Sequence, residues 1–424
     1  MSRNTIYKPM TLFRKVLKTS SAQYNRCFDP IVFRSVLFNS RFFNLSTGWS
    51  SKDKKLFTPG PLGTAPSVKE AMLRDLGSRD IEFINLVKRI RSKILDVAGV
   101  SPGEYTCIPI QGSGTYAVES VFQTAVSKQG GKALILANGA YGKRMAKICE
   151  VIGIPHHIEV FPEDSKVCVE TLEGILKGDK SFTLVGIVQC ETSSGVFNPV
   201  EDVGQVVKKY IPDVSYFVDA MSSFGAVPLD FKAGGVDYMV SSANKCLEGV
   251  PGFSYVIAKL DKLLKCKGNS RSLSLDAYDQ YINLEQSSQF RFTPPTHTML
   301  AFNQALKVFE EAGGLAGRAK RYKDNRSILR EGMRKLGFKE FLDSSHEGYI
   351  ITSYRFPNDP SFDFKEFYSR LNEKDQVIYP GKVLNADCFR IGNIGYLFPE
   401  DMQHLLKCIE EVCRDMNIQL PIQN

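Results

Sequence analysis

Beyond residue 50 short apolar runs alternate with longer amphipathic segments. The runs Tyr105–Ile110, Ala133–Ala137, His157–Phe161, Leu184–Gln189, Ser215–Asp219, Tyr238–Ser241 and Phe253–Ala258 have strand length. Several, such as LVGIV and SYFVD, are almost continuously apolar, as expected of strands covered on both faces. Between them, Tyr116–Val126, Gly142–Ile152, Val169–Leu176 and Val200–Lys209 read as helices. This alternation predicts an α/β fold with a mostly parallel seven-stranded sheet in a large domain, residues 65–300. The Pro-rich stop at Arg291–His297 precedes a long helix, Met299–Ala312, and a mixed pattern. Residues 301–424 are therefore expected to form a smaller C-terminal α+β domain. Pro59, Gly60 and Pro61 keep residues 48–64 irregular, as an extended arm.

Charge separates the first 47 residues from the rest. The chain of 424 residues carries +8, but residues 1–47 hold eight bases (Arg3, Lys8, Arg14, Lys15, Lys18, Arg26, Arg34, Arg41) and one acid, Asp29. The remaining 46 bases and 45 acids leave +1, so the body offers no electrostatic case for nucleic acid. The tail is basic, acid-poor and rich in Ser and Phe, with Leu12/Val16 and Phe13/Leu17 at helical spacing. It reads as a mitochondrial-type targeting segment, which places the mature protein in the matrix; without targeting the expectation is cytoplasmic. No run of 18 apolar residues would span a membrane. The ten cysteines form no CxxC and the five histidines no HExxH, so no metal site is expected and the thiols read as reduced and mostly buried. Of His156 and His157, at the start of a strand, one should face the core.

Candidate chemistry falls at strand ends, where ligands of such sheets bind. Gln111-Gly-Ser-Gly-Thr-Tyr-Ala117 follows the first strand and opens a helix; its glycines, backbone amides and the Ser113 and Thr115 hydroxyls suit a phosphate. It also fits a dinucleotide fingerprint, but Asn138-Gly-Ala-Tyr141 stands where the acid that holds a ribose would be. Asp219 ends one strand, where it either caps a helix or meets a cation. Lys245, among small residues after another strand, is placed to attack a carbonyl if it loses its proton. Arg390 offers a planar fork for a carboxylate or phosphonate. A phosphate cradle, an acid and a lysine together match pyridoxal phosphate: the lysine holds the aldehyde, the acid keeps the ring nitrogen protonated, and an aromatic such as Tyr141 stacks on the ring.

From about Leu56 to Val412 the chain resembles the 2-aminoethylphosphonate–pyruvate transaminases, class V fold-type I pyridoxal phosphate enzymes. The strings FTPGPLGT (57–64), QGSGTYAVES (111–120), NGAYGKRM (138–145), VDAMSSFGAVPLD (218–230), SSANKCLEGVPGF (241–253), CKGNSRSLSLD (266–276), RFTPPTHT (291–298) and FRIGNIG (389–395) carry the resemblance. It implies a ping-pong transfer of the amino group of 2-aminoethylphosphonate to pyruvate, giving phosphonoacetaldehyde and L-alanine. Lys245 would be the Schiff-base lysine and proton carrier, and Asp219 the partner of the pyridine nitrogen. Ser113, Gly114, Thr115 and Asn244 would hold the phosphate, Tyr141 would stack, and Ser193 would stand near the ring. Thr293 would reach the cofactor phosphate of a neighbouring subunit, implying a homodimer. Arg390, with Gly60, would bind substrate. The chain departs from the family at Glu191-Thr-Ser-Ser, at Pro294 and at Gly77–Asp80, on the entrance side of the pocket. The alternatives are an alanine–glyoxylate or serine–pyruvate type transaminase and a cofactor-free dimer acting as an interaction protein.

Overall fold

The computed structural model describes residues 53–379, 381 and 386–423. The targeting expectation falls on residues 1–47, outside this range. Seven strands make the central sheet: β1 Tyr105–Gln111, β2 Ala133–Ala137, β3 His156–Val160, β4 Leu184–Val188, β5 Ser215–Asp219, β6 Tyr238–Ser242 and β7 Phe253–Lys259. Their order is β1-β7-β6-β5-β4-β2-β3. Only β7 runs against its neighbours, pairing Phe253 with Gln111 on one side and Ser254 with Ser242 on the other. The C-terminal ends of the other six strands therefore share one edge of the sheet.

Helices cover the sheet: α1 Ile81–Ala98, α2 Gly114–Ala125, α3 Ala140–Val151, α4 Val169–Gly178, α5 Val200–Tyr210, α6 Ala277–Ser287 and α7 Thr296–Glu311. The sequence reading overlooked α1, although Phe83, Leu86, Val87, Ile90 and Ile94 form one buried stripe at helical spacing. Asp80 caps it by accepting the Glu82 amide at 2.7 Å, which gives the divergent Gly77–Asp80 segment a structural use. Inside, β2, β4, β5 and β6 are buried throughout, and Phe122 packs edge-on against Phe217 at 5.6 Å. β3 lies at the end of the sheet. There His157 is exposed and His156, half-buried, turns Nδ1 to the Ile154 carbonyl at 2.9 Å, so neither is the core residue expected.

A second core follows. It is built from α8 Gly314–Lys335, β8 Ile351–Arg355, α9 Phe364–Glu373, β9 Cys388–Gly392 and α10 Pro399–Asp415. β8 and β9 pair antiparallel with Ser353 opposite Arg390. The long helix α7, by contrast, buries Met299, Leu300, Phe302, Leu306 and Phe309 in the first core. The arm fastens both regions. Lys55–Leu56 adds a short parallel strand beside Gln376–Val377, Phe57 is buried in the second core, and Pro59 reaches the ends of the sheet strands. The nine described cysteines are free, eight of them buried. Among the described residues no helix is long and apolar enough to cross a membrane.

Candidate active site

A cavity of about 290 Å³ opens at the C-terminal strand ends. Gly60, Ser113, Gly114, Thr115, Tyr141, Arg144, Asp219, Asn244 and Lys245 all line it. Residues from Ser113 to Lys245 are thus brought together by one architectural fact, that parallel strands end on the same side, and the arm adds Gly60.

The floor belongs to β5 and β6. Asp219 is 5% exposed, and its Oδ1 accepts the Met221 amide at 2.8 Å. Loss of water pushes its carboxyl up to about 7, against that amide, with Glu191 adding to the rise. Lys245 follows β6, and its Nζ donates to the Pro59 carbonyl at 2.8 Å. Burial pulls this amine down to about 8, so a substantial share is neutral near physiological pH. Lys245 and Asp219 do not form an ion pair with each other. Gly60 is required by this packing: it has φ +124°, and a Cβ there would lie 2.5 Å from Lys245 Nζ.

The wall belongs to the start of α2. Ser113 stands at its N-cap without using its side chain to cap, and Ser113, Gly114 and Thr115 all line the cavity. Gly114 allows the close approach, since a Cβ there would lie 2.2 Å from the Met221 sulfur. On the facing helix α3, half-buried Tyr141 carries the Arg144 guanidinium 4.8 Å from its ring centre. Arg144 also reaches Thr115 Oγ1 at 3.5 Å. The sequence reading did not single out Arg144, though its position three residues after Tyr141 puts both on one helix face.

Three expected residues lie outside the cavity lining. Ser193 is buried and donates to Glu191 Oε1 at 2.6 Å, while the other Glu191 oxygen accepts the Tyr141 and Gly142 amides at 3.1 and 3.3 Å. Glu191, to which the sequence assigned no role, therefore fixes the start of α3, and burial pushes its carboxyl up. Arg390 is 7% exposed. Its Nη1 donates to the Thr192 carbonyl at 2.5 Å, it lies 4.7 Å from the Tyr379 ring centre, and its Nε has no partner among the described residues. Thr293 is exposed on the loop before α7.

The donor set fits pyridoxal phosphate. A buried carboxylate without a paired cation suits a protonated ring nitrogen, the Ser113–Thr115 turn at a helix start suits a phosphate, and an amine of lowered pKa lines the same cavity.

A cavity of this kind at the strand ends of such a sheet defines an aminotransferase of the fold-type I class. The chain belongs to the aminotransferase class-V family, whose sequence model matches residues 67–374. Among curated proteins it is 48% identical, over 85% of its length and 98% of theirs, to the 2-aminoethylphosphonate–pyruvate transaminases of Salmonella paratyphi C and Salmonella choleraesuis. Its fold superposes on the alanine–glyoxylate aminotransferase of Nostoc sp. with a TM-score of 0.80 at 25% identity, covering 90% of this chain and 100% of that one. The ureidoglycine–glyoxylate aminotransferase of Bacillus subtilis gives 0.80 at 20% identity, covering 88% and 96%.

Proposed function

We propose that the protein transfers the amino group of 2-aminoethylphosphonate to pyruvate, giving phosphonoacetaldehyde and L-alanine. The observation that carries a transaminase reading is the meeting of Lys245, Asp219 and the Ser113–Thr115 turn in one cavity. The choice of substrates is supported by the name that the 48%-identical relatives bear.

Pyridoxal phosphate, when bound, supplies an aldehyde for the amino group and a ring that accepts electrons. Ser113, Gly114, Thr115 and Asn244 would hold its phosphate, Asp219 its ring nitrogen, Lys245 its aldehyde carbon, and Tyr141 a ring face. Asp219 would keep a proton on the ring nitrogen. Lys245 Nζ would take a proton from C1 of the aminoethyl group and hold it for redelivery. The Pro59 carbonyl orients that amine, and Gly60 leaves it room. Arg390 holds the phosphonate of the donor and then the carboxylate of pyruvate. Because the two substrates use the site in turn, the first product leaving before the second substrate binds, parallel double-reciprocal lines are expected.

Two copies pair so that exposed Thr293 of one completes the phosphate site of the other. Residues 1–47 direct the chain to the mitochondrial matrix and take no part in chemistry. The deciding experiment is the visible spectrum of purified protein before and after 2-aminoethylphosphonate is added without pyruvate. A band that collapses on addition supports cofactor, lysine and donor together. A band that responds only to alanine or serine would replace the phosphonate assignment with the alanine–glyoxylate or serine–pyruvate type.

A further inference from the structure

Three residues beyond Lys245 the chain buries another acid. Glu248 is 3% exposed and has φ 56°, an uncommon conformation for a residue with a side chain. Its amide closes a turn by donating to the Lys245 carbonyl at 2.7 Å. Its Oε1 receives Arg318 Nη1 at 3.0 Å, the Tyr322 hydroxyl at 2.6 Å, and Arg321 Nη2. Arg318 also donates to the carbonyl of Cys246, the residue next to Lys245. All three partners stand on α8, and Arg318 and Tyr322 are essentially inaccessible.

The same helix face grips the other end of the site. The Tyr322 hydroxyl accepts the Gly395 amide at 3.1 Å, and Arg321 donates to the Gly395 carbonyl at 3.2 Å. Asn325 donates to the carbonyls of Asn393 and Leu397 at 3.2 and 3.0 Å. Asn393 returns bonds to the carbonyls of Tyr322 and Tyr349 at 3.0 and 2.8 Å. Gly395 and Asn393 directly follow β9, which carries Arg390. One largely buried polar cluster therefore ties the turn bearing Lys245 to the turn behind Arg390, across the two cores.

Such a cluster is a costly way to gain stability alone. Two guanidiniums and one carboxylate leave water, and well-packed apolar residues of similar volume often serve stability as well or better. Several of its polar atoms, including Glu248 Oε2 and Arg318 Nε and Nη2, find no partner among the described residues, which raises that cost. What hydrogen bonds supply and apolar contacts do not is direction and fixed spacing.

We infer that the Glu248–Arg318–Tyr322 cluster is a positioning device that sets Lys245 and Arg390 at a fixed separation, so that a substrate held by its acidic end presents its reacting carbon to the lysine amine. These are positioning residues, for none lines the cavity. The inference rests on the roles given above to Lys245 and Arg390.

The test uses cofactor-loaded enzyme at a temperature where each variant is folded. Glu248→Ala is expected to lower kcat/KM for 2-aminoethylphosphonate and for pyruvate by roughly tenfold or more, with bound cofactor unchanged. Glu248→Gln keeps an acceptor for Tyr322 and the arginines, and should recover most of that loss even where its melting temperature falls. Once Arg390 is replaced by Ala, the separation no longer matters, so the Glu248→Ala penalty should shrink well below its value in wild type. Should Glu248→Ala fail to fold, Tyr322→Phe removes one hydroxyl from the cluster and is compared in the same two backgrounds. Wild-type kinetics in Glu248→Ala, or a penalty of equal size with and without Arg390, would overturn the inference. If another amino donor proves to be the substrate, the functional reading falls, while the same ratios measured with that donor still decide the inference.

Discussion

Replacing Asp219 by Asn should make the cofactor-free protein more stable while crippling the loaded one. In the structure the Asp219 carboxyl sits at about 7 instead of 3.8, because burial strips it of water and a single backbone amide only partly compensates. A difference of about three pH units is on the order of 4 kcal/mol against folding wherever the group is ionised in both states. The sign follows from proton binding. Above pH 7 both folded and unfolded chains carry the anion, and the full cost is present. Between 7 and 3.8 the folded chain binds the proton first, so wild type gains stability as pH falls. Below 3.8 both are neutral and the cost is gone. Asn keeps an oxygen for the Met221 amide but carries no charge at any pH. Urea unfolding of cofactor-free wild type and Asp219→Asn should therefore show the variant more stable at pH 8, with the gap narrowing steadily toward pH 4. With cofactor bound the ranking in function reverses, since Asn holds no proton on the ring nitrogen and turnover should fall steeply. Equal stability at pH 8, or a gap that does not change with pH, would refute the idea that Asp219 is a strained anion awaiting a cation.

Arg390→Ala removes a charge-assisted contact worth about 1.5–3 kcal/mol, so kcat/KM should fall roughly 10- to 150-fold for both substrates; steady-state kinetics that change for only one would break the shared-site reading. Gly60→Ala forces a side chain into the left-handed region and against Lys245 Nζ, and a loss of roughly ten- to a hundredfold in kcat is expected, measured beside cofactor content. Burial pushes the thiols of Cys107, Cys149, Cys246 and Cys413 up to about 12, so maleimide at pH 7.5 followed by peptide mapping should label Cys168 far ahead of every other described cysteine. Deleting residues 1–46 should leave the kinetics of both half-reactions unchanged, and a loss of activity would give the tail a part in catalysis or folding.

Much of the chemistry was legible along the chain because it stands where apolar runs stop. LVGIV and SYFVD announce buried strands, and whatever follows a buried parallel strand faces the ligand edge; Asp219, Lys245 and the Ser113–Thr115 turn were found on that logic. Helix α1 is equally legible in its stripe of Phe83, Leu86, Val87, Ile90 and Ile94 at helical spacing. Other features have no local signature. An apolar run such as Phe253–Ala258 looks the same in either direction, so only pairing with β1 and β6 makes β7 antiparallel. Neighbour order puts β3 at the sheet's end and leaves His156 and His157 out of the core. The contact of Lys245 with Pro59 spans 186 positions, and those of Glu248 with Arg318, Arg321 and Tyr322 span 70 to 74. Periodicity and local hydrogen bonding reach a few residues along the chain, so the residue types at each strand end are set by the sequence itself. Which of them meet, which lose their water and how far a pKa moves depend on long-range packing, and only the tertiary structure decides that.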